Sequence, residues 1–148
     1  MNTASPLTPF ASPSALYTPF QVGLASFIGG PFAAVYTLYC NFKRLGKVRE
    51  TQFTLYLGGA FLIAILAVLP FLPDKFPNMV IPVAYTFAAV SIASSKQLSK
   101  EQILASENYV RRSGGNVAVV CVVSFLGFFA IMLSVLFALD HWGIVSLE

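Results

Sequence analysis

The chain of 148 residues is 57% apolar and only 10% charged, with a mean hydropathy of +0.76. A water-soluble domain carries about a quarter charged residues, so this composition excludes an ordinary soluble fold and points to lipid as the solvent. The net charge of +3 does not indicate nucleic acid, because the cations sit in short clusters between apolar runs and not along one face.

In chain order, residues 1–18 are rich in Pro, Ser, Thr and Ala and hold no Lys or Arg, so they lack the positive lead of a secretory signal. They read as a flexible polar tail. Four long apolar runs follow, at about 20–42, 53–72, 79–95 and 117–139. At 1.5 Å per residue each covers, or nearly covers, a hydrocarbon core of roughly 30 Å. The expected fold is therefore all-α: a polytopic membrane protein of four transmembrane helices arranged as two hairpins, with a short tail at 143–148.

Between the second and third runs, Pro70, Pro73 and Pro77 stop one helix from continuing and predict a tight turn that includes Asp74, Phe76 and Asn78. Pro82 falls in the first turn of the third helix, where a missing N–H costs least. Residues 96–116 mix charges with Leu98, Ile103, Leu104, Tyr109 and Val110. Ser99 with Gln102 fits a capping box. The segment reads either as a cytoplasmic surface helix over 100–111, ended by Gly114-Gly115, or as a solvated connector partly continuous with the fourth helix.

Eight cations, Lys43, Arg44, Lys47, Arg49, Lys96, Lys100, Arg111 and Arg112, flank the loops after the first and third runs, against Lys75 alone on the other side. The positive-inside rule places those loops in the cytoplasm and, with four spans, both termini outside. His141 and Trp142 then become anchors at the outer interface.

The first run carries the most information. Ala25-Ser26-Phe27-Ile28-Gly29-Gly30-Pro31 puts two glycines and a proline near mid-membrane, and Pro31 cannot donate to the Phe27 carbonyl, so a kink is expected. A sharper reading is an unwound helix whose carbonyls line a substrate or ion site. Gln21, Ala25, Gly29, Ala33, Thr37 and Asn41 form a stripe at four-residue spacing that allows close helix approach. Together with Gly30 and Pro31 these are the candidate packing or pore-lining residues. Lesser stripes occur at Ala84 and Ala88 and at Ala130, Ser134 and Ala138.

Other chemistry finds little footing. The apolar runs hold no ionisable side chain of the kind that proton relays need. The one histidine lies outside them, and Cys40 and Cys121 read as buried thiols on a reducing side. Tyr36, Tyr39, Tyr56 and Tyr85 could orient a quinone or a lipid head, or satisfy their hydroxyls between helices. No catalytic residue, metal site or cofactor is expected.

Tyr17-Thr18-Pro19-Phe20-Gln21, the Gly29-Gly30-Pro31 segment and Asn41-Phe42-Lys43-Arg44-Leu45-Gly46 resemble the opening of small bacterial membrane proteins of unknown function. The resemblance covers residues 17–46 and implies a bacterial inner membrane and no named activity. The sequence thus predicts a structural or accessory membrane protein whose partners are membrane lipid and either further copies of itself or a larger membrane protein. The alternative is a homo-oligomeric transporter or channel lined by Gln21, Ser26, Thr37 and Asn41.

Overall fold

A computed structural model of the chain describes residues 13–73, 75, 77 and 79–143. The expectations for residues 1–12, for Asp74, Phe76 and Asn78 and for residues 144–148 lie outside these. The described chain is mostly helical, in the order β1 (Ser14–Leu16), α1 (Pro19–Arg44), α2 (Val48–Val68), a 3-10 turn (Leu69–Phe71), α3 (Val80–Lys96), α4 (Lys100–Leu104), β2 (Tyr109–Arg111) and α5 (Gly114–His141). Three of its helical segments are long and apolar enough to cross a membrane: Pro19–Arg44, Val48–Phe71 and Gly114–His141. α3 is a shorter apolar helix.

α1, however, does not run straight. Inside it Gly30 takes φ 77° and ψ −170°, a conformation essentially restricted to glycine, and Pro31 follows without an N–H. The chain reverses there. A straight helix would separate residues 18 and 41 by roughly 35 Å. Instead the Asn41 side chain bonds both backbone groups of Tyr17, accepting from its N–H at 2.8 Å and donating to its carbonyl at 2.7 Å. One step further out, Arg44 donates to the Ala15 carbonyl. α1 is thus a helical hairpin with limbs 19–29 and 31–44, roughly 16 Å and 21 Å long, and both its ends lie at one end of the bundle.

The helix expected over 20–42 is therefore present but folded back on itself at Gly30. The glycine pair with proline permits a kink of any size, and it is the contacts of the two limbs that select a full reversal.

A correction falls on the polar tail, since residues 14–18 are ordered. β1 pairs in parallel with β2, in register Ser14 with Tyr109, Ala15 with Val110 and Leu16 with Arg111. Leu16 and Tyr17 are fully buried. The surface helix expected over 100–111 is confined to α4, capped by Ser99 and Gln102, while Tyr109–Arg111 is strand. Gly114 and Gly115 open α5 under the Ser113 cap and do not close a preceding helix.

The hairpin is the core of the molecule. α2, α3 and α5 each pack on it, and all of its small-residue stripe is buried. Lys47 at the start of α2 donates to the Lys96 carbonyl at the end of α3, so these helices meet the hairpin's ends at the same pole. From that pole α5 runs uninterrupted for roughly 42 Å to His141. Residues 13–18 and Trp142 therefore sit at opposite poles of the described chain.

With Cys40 and Cys121 replaced by serine, spin labels on the exposed positions Phe20 and Lys43 are expected to lie far closer than the roughly 35 Å of a straight helix. Pulsed electron resonance in nanodiscs measures this, and a separation near 35 Å would remove the hairpin.

Candidate functional site

Among the described residues, the clasp that closes the hairpin gathers most of the buried polar side chains of the bundle. Thr18 caps the first limb, its hydroxyl accepting from the Gln21 N–H, while the Gln21 side chain accepts from the Thr18 N–H. The other end of the same amide, Nε2 of Gln21, donates to the Arg112 carbonyl at 2.8 Å and so ties the limb to the start of α5. Asn41, on the second limb, donates also to Oε1 of Gln97 at 2.7 Å, and Gln97 in turn donates to the Leu38 carbonyl. Tyr17 donates its hydroxyl to Asn116, whose oxygen also accepts from Nε of Arg112.

Arg112 lies over the Tyr17 ring at 5.6 Å. Burial pushes the Tyr17 phenol above its ordinary value, opposed by the Arg112 charge. The phenol therefore stays neutral and remains a donor. The clasp thus joins β1, both limbs of α1, the end of α3 and the start of α5 with no charged acceptor.

Of the eight candidate residues, Gln21, Ala25, Gly29, Pro31, Ala33, Thr37 and Asn41 are buried and Gly30 is half-buried at the tip. A Cβ on Gly29 would stand 2.7 Å from that of Ala33 and 2.9 Å from the Cα of Cys121, so the tip meets α5 at backbone contact. Gly23 against Val90 of α3 and Gly58 of α2 against Val35 make equally close approaches. These two glycines lie outside the four-residue stripe, and only the neighbouring helices give them meaning.

Ser26 and Thr37 donate to the carbonyls of Val22 and Ala33 in their own limbs, and both are fully buried. Each polar member of the candidate set is therefore satisfied inside the chain.

Because the hairpin reaches only part of the way along the bundle, an apolar recess of about 250 Å³ remains beyond its tip, lined by Pro31, Ile65, Leu69, Ile81, Tyr85 and Phe128 among others. Cys40 is half-buried, Cys121 is buried, and both are free thiols. Among the described residues no three His, Cys, Asp or Glu side chains gather as metal ligands.

Sequence reasoning missed Tyr17, Gln97, Arg112 and Asn116. Tyr17 stood in a segment read as tail, and the other three stood in a connector. A partial signal was nonetheless present, since an amide such as Asn41 within an apolar run requires polar partners, although nothing local names them.

No protein-family model, curated protein or solved structure matches the chain.

Asn41→Leu removes the partner of three buried polar groups and is expected to cost on the order of 3 kcal/mol, read as a lower unfolding midpoint in detergent. Gly30→Ala is expected to cost about 2 kcal/mol from backbone strain alone, since open space surrounds that Cβ position. Gly59→Ala, equally open but at ordinary helical φ, should be neutral or slightly stabilising in the same assay.

Proposed function

We propose that the protein is a small membrane-embedded structural or accessory subunit that acts by helix association, with copies of itself or with a larger membrane complex. What supports this reading over a pore on the broken first helix is the state of the polar residues such a pore would need. Gln21, Ser26, Thr37 and Asn41 face inward, are almost wholly excluded from solvent, and are engaged by hydrogen bonds that hold the hairpin together. A water-filled path along them would first have to break the fold.

The surfaces left for association are apolar. Only 6% of the apolar stretch of α2, and 6% of that of α5, is buried within the chain, leaving Phe53, Tyr56, Phe125 and Phe129 outward. In a bilayer these faces meet lipid tails or another protein's helices.

In this reading α2, α3 and α5 cross the bilayer, α3 at roughly 25 Å with modest local thinning, and α1 enters as a re-entrant hairpin. Three crossings thereby replace the four expected from hydropathy. The basic pole, with eight of the nine cations, faces the cytoplasm, and the start of α1 lies there too, while the end of α5 faces outward. The resemblance of residues 17–46 to small bacterial proteins makes a bacterial inner membrane the setting.

Two experiments test the proposal. A single cysteine placed at Pro13 should be labelled by an impermeant thiol reagent only from the cytoplasmic side, and one at Trp142 only from the other. Gently extracted protein should appear in native mass spectrometry as a stoichiometric assembly with itself or a partner; a strict monomer that passes solutes in liposomes would overturn the accessory reading.

A further inference from the structure

At the basic pole, the turn from the second limb of α1 into α2 forms a groove of about 220 Å³ lined by Tyr39, Lys43, Gly46, Val48, Thr51 and Gln52. Lys43 is exposed, and its ammonium lies 5.8 Å from the centre of the Tyr39 ring, one helical turn earlier. Among the described residues no carboxylate pairs with it and no protein group bonds the Gln52 amide. Lys47 gives the first turn of α2 no side-chain cap, and in that turn the Val48 N–H donates to the Gly46 carbonyl. Glu50 belongs to that turn but does not line the groove.

The groove is amphipathic in a definite direction. Lys43 and Gln52 supply charge and hydrogen bonding, the Thr51 hydroxyl being taken up by the Lys47 carbonyl; Val48 is exposed beside them, and the outward Phe53 and Tyr56 begin the apolar face of α2 within the next two turns. A ligand placed here would have an anionic head and hydrocarbon chains lying along that face. The surrounding pole adds complementary charge, since eight cations at 43, 44, 47, 49, 96, 100, 111 and 112 stand against three carboxylates at 50, 101 and 107.

We propose that this groove binds the phosphate of an anionic phospholipid headgroup, with Lys43 as its cation and the Gln52 amide as a donor. The site anchors the turn that joins the re-entrant hairpin to its first crossing helix. It rests on the membrane embedding proposed above but not on the accessory role, and the cysteine labelling already described fails separately if the embedding is wrong.

Native mass spectrometry of protein released from nanodiscs of equal phosphatidylglycerol and phosphatidylcholine tests it. The wild type should retain phosphatidylglycerol in preference to phosphatidylcholine, and millimolar inorganic phosphate should not displace it. Lys43→Gln with Gln52→Ala should lower that preference about fivefold, the effect of one cation beside an anionic surface. Lys100→Gln, on α4 and away from the groove, should leave it unchanged. Both groove side chains are exposed, so an unaltered unfolding midpoint identifies a lost preference as lost binding. Equal retention of the two lipids by the wild type, or an undiminished preference in the double variant, would overturn the proposal.

Discussion

One carboxamide closes the structure. Asn41 offers Tyr17 an acceptor and a donor at once, as a neighbouring strand would, and so holds together two points 24 residues apart that a straight helix would place at opposite faces of a bilayer. Burial makes the arrangement strong. With Asn41 and Tyr17 both about 1% exposed, neither amide has water to turn to, and opening the clasp would leave several polar groups unpaired in an apolar medium. Gln97 extends the same logic to α3, and Gln21 extends it to the start of α5.

The rest of the packing follows from that closure. A hairpin of two limbs is thicker than one helix, and three helices can surround it only where side chains are small. Gly29 against the backbone of Cys121, Gly23 against Val90 and Gly58 against Val35 are those places. The reversal at Gly30 also keeps the hairpin short, which leaves the apolar recess beyond Pro31. With the small-residue face of α1 turned inward, α2 and α5 keep their large apolar side chains outward. The molecule is therefore polar at one pole, close-packed around the hairpin and apolar over its flanks.

Much of this was legible residue by residue. The helical segments after 48, 80 and 114, the break at Gly29-Gly30-Pro31, the Ser99 cap and the small-residue face of α1 each rest on a local pattern that neighbouring residues enforce. The strands at 14–16 and 109–111 were not legible, because three residues carry no usable alternation and their pairing joins segments almost a hundred positions apart. The clasp was half legible. Asn41 and Gln21 stood out as polar groups in an apolar run, but their partners lay in segments with no periodicity to recommend them.

The sequence by itself determined the apolar, charge-poor composition of this protein, the helical character of its apolar runs, the place where the first of them must bend and the clustering of its cations. All of these depend on composition and on residues within a turn or two of one another. The direction of the bend was decided only by the tertiary structure. Glycine at φ 77° tolerates a kink or a full reversal alike, and the choice lies with Tyr17, Asn41, Gln97 and Arg112, which meet only once the chain has folded back. On that choice turn which residues face inward and which pole the start of α1 occupies, because long-range hydrogen bonds between buried amides outweigh the hydropathy that would have carried a straight helix across.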